Sequence, residues 1–218
     1  MGAEYLSELV TRLADGFLLT LQLFAWSALF ATVLGTVLGS MRVSPVAPLR
    51  AFGTSYVNVF RNTPLVVLFI LFVVGLPELG LLKGSFFWRA VLTLSLYTAA
   101  FVCEALRSGI NTVDPGQSEA ARSIGMNFSE VLRLVVLPQA FRAVLPPLAS
   151  VLIAMAKNTS VASAFGVTEA TYQLRGLNRD FPGELVYSYL GIAIGYALIV
   201  GAISAVGSLL ERRVEMAR

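Results

Sequence analysis

The sequence predicts an all-α polytopic membrane protein. Five transmembrane helices form a single domain over residues 1–218, with one polar loop, residues 107–142, between helices 3 and 4. Three observations carry this. The 218 residues are 56% hydrophobic and only 13% charged, with a mean hydropathy of +0.76; a soluble domain of this length needs far more charge to cover its surface. The apolar residues come in runs of the length, about 20 residues, that crosses about 30 Å of hydrocarbon as helix. The charges collect between those runs, above all in 107–142, which holds four arginines and three carboxylates.

The first span is residues 16–41, without a charge. Before it stand Glu4, Glu8 and Asp15 against a single Arg12, the wrong sign for a signal peptide, so the chain is expected to begin directly with a membrane span. The second span, residues 52–77, contains Arg61. The third, residues 86–106, ends near Glu104, and the fourth, residues 144–167, contains Lys157. The fifth, residues 185–210, is again uncharged. Gly191, Gly195 and Gly201 in the fifth span predict close helix packing. Cys103 has no partner for a disulfide and reads as a lipid- or helix-packing residue.

Five spans place the termini on opposite sides, and basic residues decide which. With the N-terminus outside, the inner segments hold nine: Arg42, Arg50, Arg107, Arg122, Arg133, Arg142, Arg212, Arg213 and Arg218. The outer segments hold five: Arg12, Lys83, Arg89, Arg175 and Arg179. The N-terminus is therefore expected outside, and the polar loop and C-terminus in the cytoplasm. This bias also explains the net charge of +3; the basic residues form no stripe, and no nucleic acid partner is expected. With no histidine, a histidine-based metal site or proton relay is excluded, and no catalytic or metal-binding set is assigned.

Within the loop, Asp114 reads as an N-cap, with Pro115 at the first helical position and Gln117 three residues after the cap. Gly125 stands where a left-handed C-terminal cap needs no β-carbon. The helix between is about three turns long and carries Ala120, Ala121 and Ile124 as a small apolar patch beside Glu119 and Arg122. A second helix, residues 128–136, is expected to present Val131, Leu132, Val135 and Val136 on one side and to be broken by Pro138. The pair reads either as a docking surface or as an ordinary helix pair at the membrane interface.

The residues Glu119-Ala120-Ala121, Gly125, Val135 and Leu137-Pro138 follow the pattern EAA-x3-G-x9-I-x-LP, with valine for isoleucine. This resembles the EAA loop of ABC-importer permeases. "RNTPL", "YTAAFVCEALRSGI" and "AKNTSVAS" resemble, in the same order, blocks of the polar amino acid permeases in that family. Adding "MRVSP" and "ALRSGINTV", the chain is most similar to actinobacterial glutamate permeases. The resemblance implies a type I ABC-importer permease architecture in which Glu119, Ala120, Ala121, Arg122, Gly125, Leu137 and Pro138 form the interface with a cytoplasmic ATPase. It implies further partners: a second permease chain, related or identical, a dimer of ATP-binding subunits, and an extracellular solute-binding protein, all at a bacterial cell membrane. ATP and magnesium would be used by the ATPase. Independently, the chain contains no G-x-x-x-x-G-K-[ST] phosphate loop, so it is expected to bind no cofactor and to be a pathway rather than an enzyme.

Ionisable residues inside spans are costly and mark function. Counted along a continuous helix from residue 52, Arg61 lies about 14 Å deep, and from residue 144 Lys157 lies about 20 Å deep. Two cations and the acid Glu104 near mid-membrane suit glutamate or aspartate, which presents two carboxylates and one ammonium. Pro64 after Arg61-Asn62-Thr63, and Asn158-Thr159-Ser160 after Lys157, weaken both helices and could free polar groups to line a cavity. The alternative is that Glu104 neutralises Arg61 or Lys157 and holds helices together. As the resemblance is read, permeases for basic amino acids carry an acid where Asn158 stands, which speaks against arginine or lysine as cargo. The segment from Arg175 to Leu185 is expected to be a solvated outer connector with a Pro182-Gly183 turn. A proton-coupled secondary transporter, with Glu104 carrying the proton, is the rival reading; such folds show paired repeats, and none is seen here. A membrane scaffold without transport would leave Arg61 and Lys157 unexplained.

Overall fold

A computed structural model describes residues 2–215. Arg218, one of the basic residues of the predicted inner terminus, lies outside the described residues. Eight helices and no strand make up the described chain: α1 (Ala3–Val43), α2 (Ala47–Asn62), α3 (Leu65–Glu78), α4 (Phe86–Asn111), α5 (Pro115–Ser123), α6 (Phe128–Phe165), α7 (Ala170–Asp180) and α8 (Leu185–Glu215). Of these α1, α4, α6 and α8 are long and apolar enough to cross a membrane, and the bent pair α2–α3 makes a fifth only if its two helices are taken together as one span.

The bend between α2 and α3 is 104°, so residues 52–77 are not the single straight span that the depth of Arg61 was counted along. Pro64 has no N–H to continue α2, and its ring forces Thr63 into extended backbone (φ −94°, ψ 127°). The chain leaves α2 at Thr63 and restarts as α3.

At the centre lies α4, packed against α1, α2, α3 and α6. Its buried face is made of small residues, among them Ala90, Ala99, Ala100, Cys103, Ala105 and Gly109. Helices in lipid gain little from hiding apolar surface from each other, so close backbone approach supplies the packing contacts instead. A β-carbon at position 109 would stand 2.3 Å from Val144 Cγ2 of α6. Cys103 is fully buried beside Leu38, Val57, Ala99 and Ala100, which makes it a helix-packing residue. Leu23, Phe69, Leu94 and Val167 fill a second core between α1, α3, α4 and the end of α6. Large apolar residues such as Phe30, Val33, Leu198 and Val206 stay on the outside, as lipid allows.

On α8, Gly191 and Gly195 meet Leu13 and Phe17 of α1 as predicted, whereas Gly201 faces open space; the packing expectation is corrected there. The segment from Arg175 is also corrected. It is the second half of α7, an amphipathic helix whose Ala170, Leu174 and Leu177 are buried, followed by a 3-10 turn over Pro182–Glu184. The apolar spacing at i, i+4, i+7 was present in the sequence.

Candidate functional site

Two sets of residues come together. The first is the polar loop. Asp114 caps α5, its carboxylate accepting from the Gly116 N–H at 2.7 Å. Gly125 takes φ +92°, and the N–H groups of Gly125 and Met126 bond the carbonyls of Arg122 (3.0 Å) and Ala121 (3.2 Å). This is the Schellman-type end that closes a helix with a residue free of a β-carbon. Asn127 then starts α6 with a capping box: its side chain accepts from the Glu130 N–H, and the Glu130 carboxylate accepts from the Asn127 N–H. The N-x-x-E spacing could have been read from the sequence.

The expected break at Pro138 is absent. The helix runs on as α6 through a π-helical segment, Val131–Val136, and Pro138 sits in the first turn after it. In that wider segment the Leu137 N–H reaches back five residues to the Leu132 carbonyl, so the ladder has already shifted where the proline lacks its donor. The loop is thus a short helix leaning on the foot of a membrane helix, since α5 packs against Val131–Val136. Ala121 is buried in that contact. Glu119, Ala120, Arg122, Gly125, Leu137 and Pro138 are exposed, and beside them Ile124 and Phe128 are 79% and 80% exposed.

The second set surrounds Glu104. Its carboxylate pairs with Arg42 of α1, with Arg107 one turn along α4 at 3.1 Å, and with Arg61 of α2 at 3.7 Å. Lys157 does not join it and makes no ion pair among the described residues. Arg61 alone of the expected pair is neutralised, and Arg42 and Arg107, which the sequence placed only among inner-loop charges, are the principal partners. The Arg61 guanidinium also lies 5.6 Å over the ring of Phe101. Phe101 walls a groove of about 230 Å³ together with Tyr97, Thr98, Ser150 and Asn158. Arg61 therefore lies against the Phe101 wall of a groove between α4 and α6 that Asn158 also lines, while Glu104 is not among the residues that line it.

The other expected pathway residues divide. Asn62 and Lys157 are exposed. The Thr63 hydroxyl donates to the Val59 carbonyl at 2.8 Å, the Thr159 hydroxyl to Ala156 at 2.6 Å and the Ser160 hydroxyl to Lys157 at 2.7 Å. Thr159 is fully buried, so its hydroxyl serves the helix and not a cavity. From Thr159 the α-helix tightens into a 3-10 segment ending at Gly166, φ +83°, which is the weakening expected after Lys157.

Sequence reading missed Glu169. This carboxylate is fully buried between α1, α7 and α8, and it accepts from the Tyr172 N–H at 3.1 Å and the Tyr196 hydroxyl at 2.7 Å. The Thr20 hydroxyl lies 3.3 Å from it and accepts from the Ala170 N–H. Burial pushes the carboxyl above its ordinary value, the hydrogen bonds only partly opposing this. At the far end of α7, Asp180 is held below its ordinary value by Arg179 and Arg12.

The chain is 42% identical over 204 residues to a glutamate transport system permease protein of Corynebacterium efficiens, covering 88% of this chain and 90% of that one. It is 41% identical over 218 residues to the protein of the same name from Corynebacterium glutamicum, covering 94% and 96%. Its fold superposes on a crystal structure of an amino acid ABC transporter with histidines with a TM-score of 0.87, at 32% identity and over 98% of this chain and all of the other. Residues 31–216 match the family described as binding-protein-dependent transport system inner membrane component. The chain, an all-α protein of type I importer permease architecture, belongs to that family.

Proposed function

We propose that this chain is the permease subunit of an ATP-driven importer of amino acids, with glutamate or another acidic or polar amino acid as cargo. The observation that carries the reading is the exposed face of α5. Here a capped helix ends on a positive-φ glycine and offers Glu119, Ala120 and Ile124, with Phe128 at the start of α6 beside them, to a partner, on a chain that has no phosphate loop of its own. Such a helix can pass the closing of an ATPase pair into α6, because α5 leans on the π-helical segment that begins that span. ATP and magnesium belong to that partner. The N-terminus lies outside and the C-terminus in the cytoplasm of a bacterial cell membrane. A second permease chain completes the pathway, and an extracellular binding protein delivers the cargo.

The names of the Corynebacterium relatives support glutamate as cargo. So does Arg61, a cation held over the Phe101 wall of the groove. The proton-coupled alternative needs Glu104 as a free acid, and its oxygens are already shared among three guanidiniums.

The test is co-purification of the tagged chain from native membranes in mild detergent, with partners identified by mass spectrometry. Wild type should bring down an ATPase and a second permease, and Ala120→Glu, which leaves the backbone of α5 intact, should lose the ATPase. A chain that comes down alone in both cases sinks the reading. Uptake of labelled glutamate in vesicles, dependent on internal ATP and indifferent to an ionophore, identifies the cargo and the energy source.

A further inference from the structure

Beside the Glu104 cluster, and outside the cargo groove, an open cleft of about 570 Å³ is lined by Arg42, Arg50, Arg107, Thr54 and Ser55 over a floor of two alanines. Three arginines enter it, and among the described residues Glu104 is the one acid that pairs with any of them. The Arg50 guanidinium is steadied by the carbonyls of Ser44 (2.9 Å) and Pro45 (2.7 Å), which hold it in place without neutralising it. The Arg107 Nε is buried with no acceptor. The hydroxyls of Thr54 and Ser55 make no hydrogen bond among the described residues. Donors and positive charge thus converge on a space that nothing in the chain fills, which is how proteins receive a phosphate or carboxylate oxyanion.

Position selects among oxyanions. Arg42 is in the last turn of α1 and Arg107 near the end of α4, so the cleft lies where two membrane helices end. Its chain neighbours Val43, Val46 and Phe52 are exposed apolar side chains. A free anion has no use for them, whereas the acyl chains of a lipid do. We propose that this cleft binds the phosphate of one anionic phospholipid of the inner leaflet, with Arg50 and Thr54 as the side chains that hold it and Val46 and Phe52 flanking the acyl chains. The inner leaflet rests on the orientation proposed above, where basic juxtamembrane residues meet anionic headgroups.

The experiment is native mass spectrometry of the delipidated permease–ATPase complex, titrated with phosphatidylglycerol, phosphatidylcholine or millimolar inorganic phosphate. One phosphatidylglycerol per chain should survive activation that strips phosphatidylcholine. Arg50→Gln and Thr54→Val should each weaken its retention, the former at least about fivefold, while Arg212→Gln, which removes an exposed charge at the end of α8, should not. Equal retention in Arg50→Gln and wild type, equal loss in Arg212→Gln, or displacement by inorganic phosphate each overturns the lipid site. ATPase retention, read in the same spectra, reports separately on the proposed function. Labelling of Ser44→Cys by an impermeant maleimide in intact cells reports on the orientation alone.

Discussion

The guanidinium of Arg61 lies 5.6 Å over the ring centroid of Phe101, and this contact brings the last turn of α2 to the groove that holds Asn158 on α6. Arg61 also touches Glu104, at 3.7 Å, the longest of the three pairs that acid makes. On the function proposed above, it is the guanidinium that would pass most easily to a cargo carboxylate, with the aromatic face keeping it in place.

Replacing Phe101 by leucine keeps the bulk and removes the cation–π contact, which at a partly exposed site is worth about 0.5–1 kcal/mol. The expected outcome is a rise of about two- to fivefold in the apparent KM for glutamate uptake, with assembly unchanged. Arg61→Ala should reduce uptake far more. Unchanged uptake in both variants would remove Arg61 from the pathway.

Glu104→Gln leaves Arg42, Arg107 and Arg61 without their shared acid. Removing the shared acid of a partly exposed charge cluster costs about 1–3 kcal/mol, so the variant should melt a few degrees below wild type in detergent. Glu104→Asp should recover part of the loss. The check is a melting curve followed by size-exclusion fluorescence, and a melting point equal to that of wild type would show that the cluster does not hold the helices together.

Gly125→Ala forces a β-carbon into a left-handed backbone, at a cost of about 1–2 kcal/mol. Nothing stands within 4 Å of the new atom, so the effect should be confined to the exit of α5. Expression and membrane insertion should hold while ATP-driven uptake falls, with Gly125→Asn falling less. Full uptake in Gly125→Ala would separate the shape of this turn from coupling.

Glu169 predicts a pH dependence. Its folded value is raised above the ordinary 4.5, so between the two values the folded state binds the more protons. The cost of burying the charged form is absent below about pH 4.5 and grows as pH rises through the folded value. Melting temperature should accordingly fall as pH rises across that window. Glu169→Gln should flatten the dependence and be at least as stable as wild type above it. A wild-type profile that rises with pH there, while the glutamine variant shows the same slope, contradicts the assignment.

Much of this was open to reading along the chain. The α5 caps at Asp114 and Gly125 are local chemistry, set by residues within a few positions of each other, and both residues cap as predicted, although Asp114 accepts from the Gly116 N–H and Gln117 closes no capping box. The weakening at Pro64 and after Lys157 is likewise local, since proline removes a donor wherever it stands. What the reading missed depended on contacts between distant segments. Arg42 and Arg107 look like topogenic charges until α1 and α4 bring them to one carboxylate. Glu169 looks like a loop residue until Thr20 and Tyr196, far away in sequence, close around it. Pro138 looks like a break until a π-helical segment of the preceding six residues has already shifted the ladder.

The sequence by itself determined that this is a membrane protein, how many apolar runs it has and which loop is polar and helical, because hydropathy and capping are short-range properties of the chain. Only the tertiary structure decided which charges neutralise each other, that Arg61 lies over a wall of the groove Asn158 lines, and that three arginines with a single acid between them leave a positive cleft. Charge pairing in a low-dielectric fold is a matter of a few ångströms, and the packing of α1 and α2 against the small residues of α4 sets those distances.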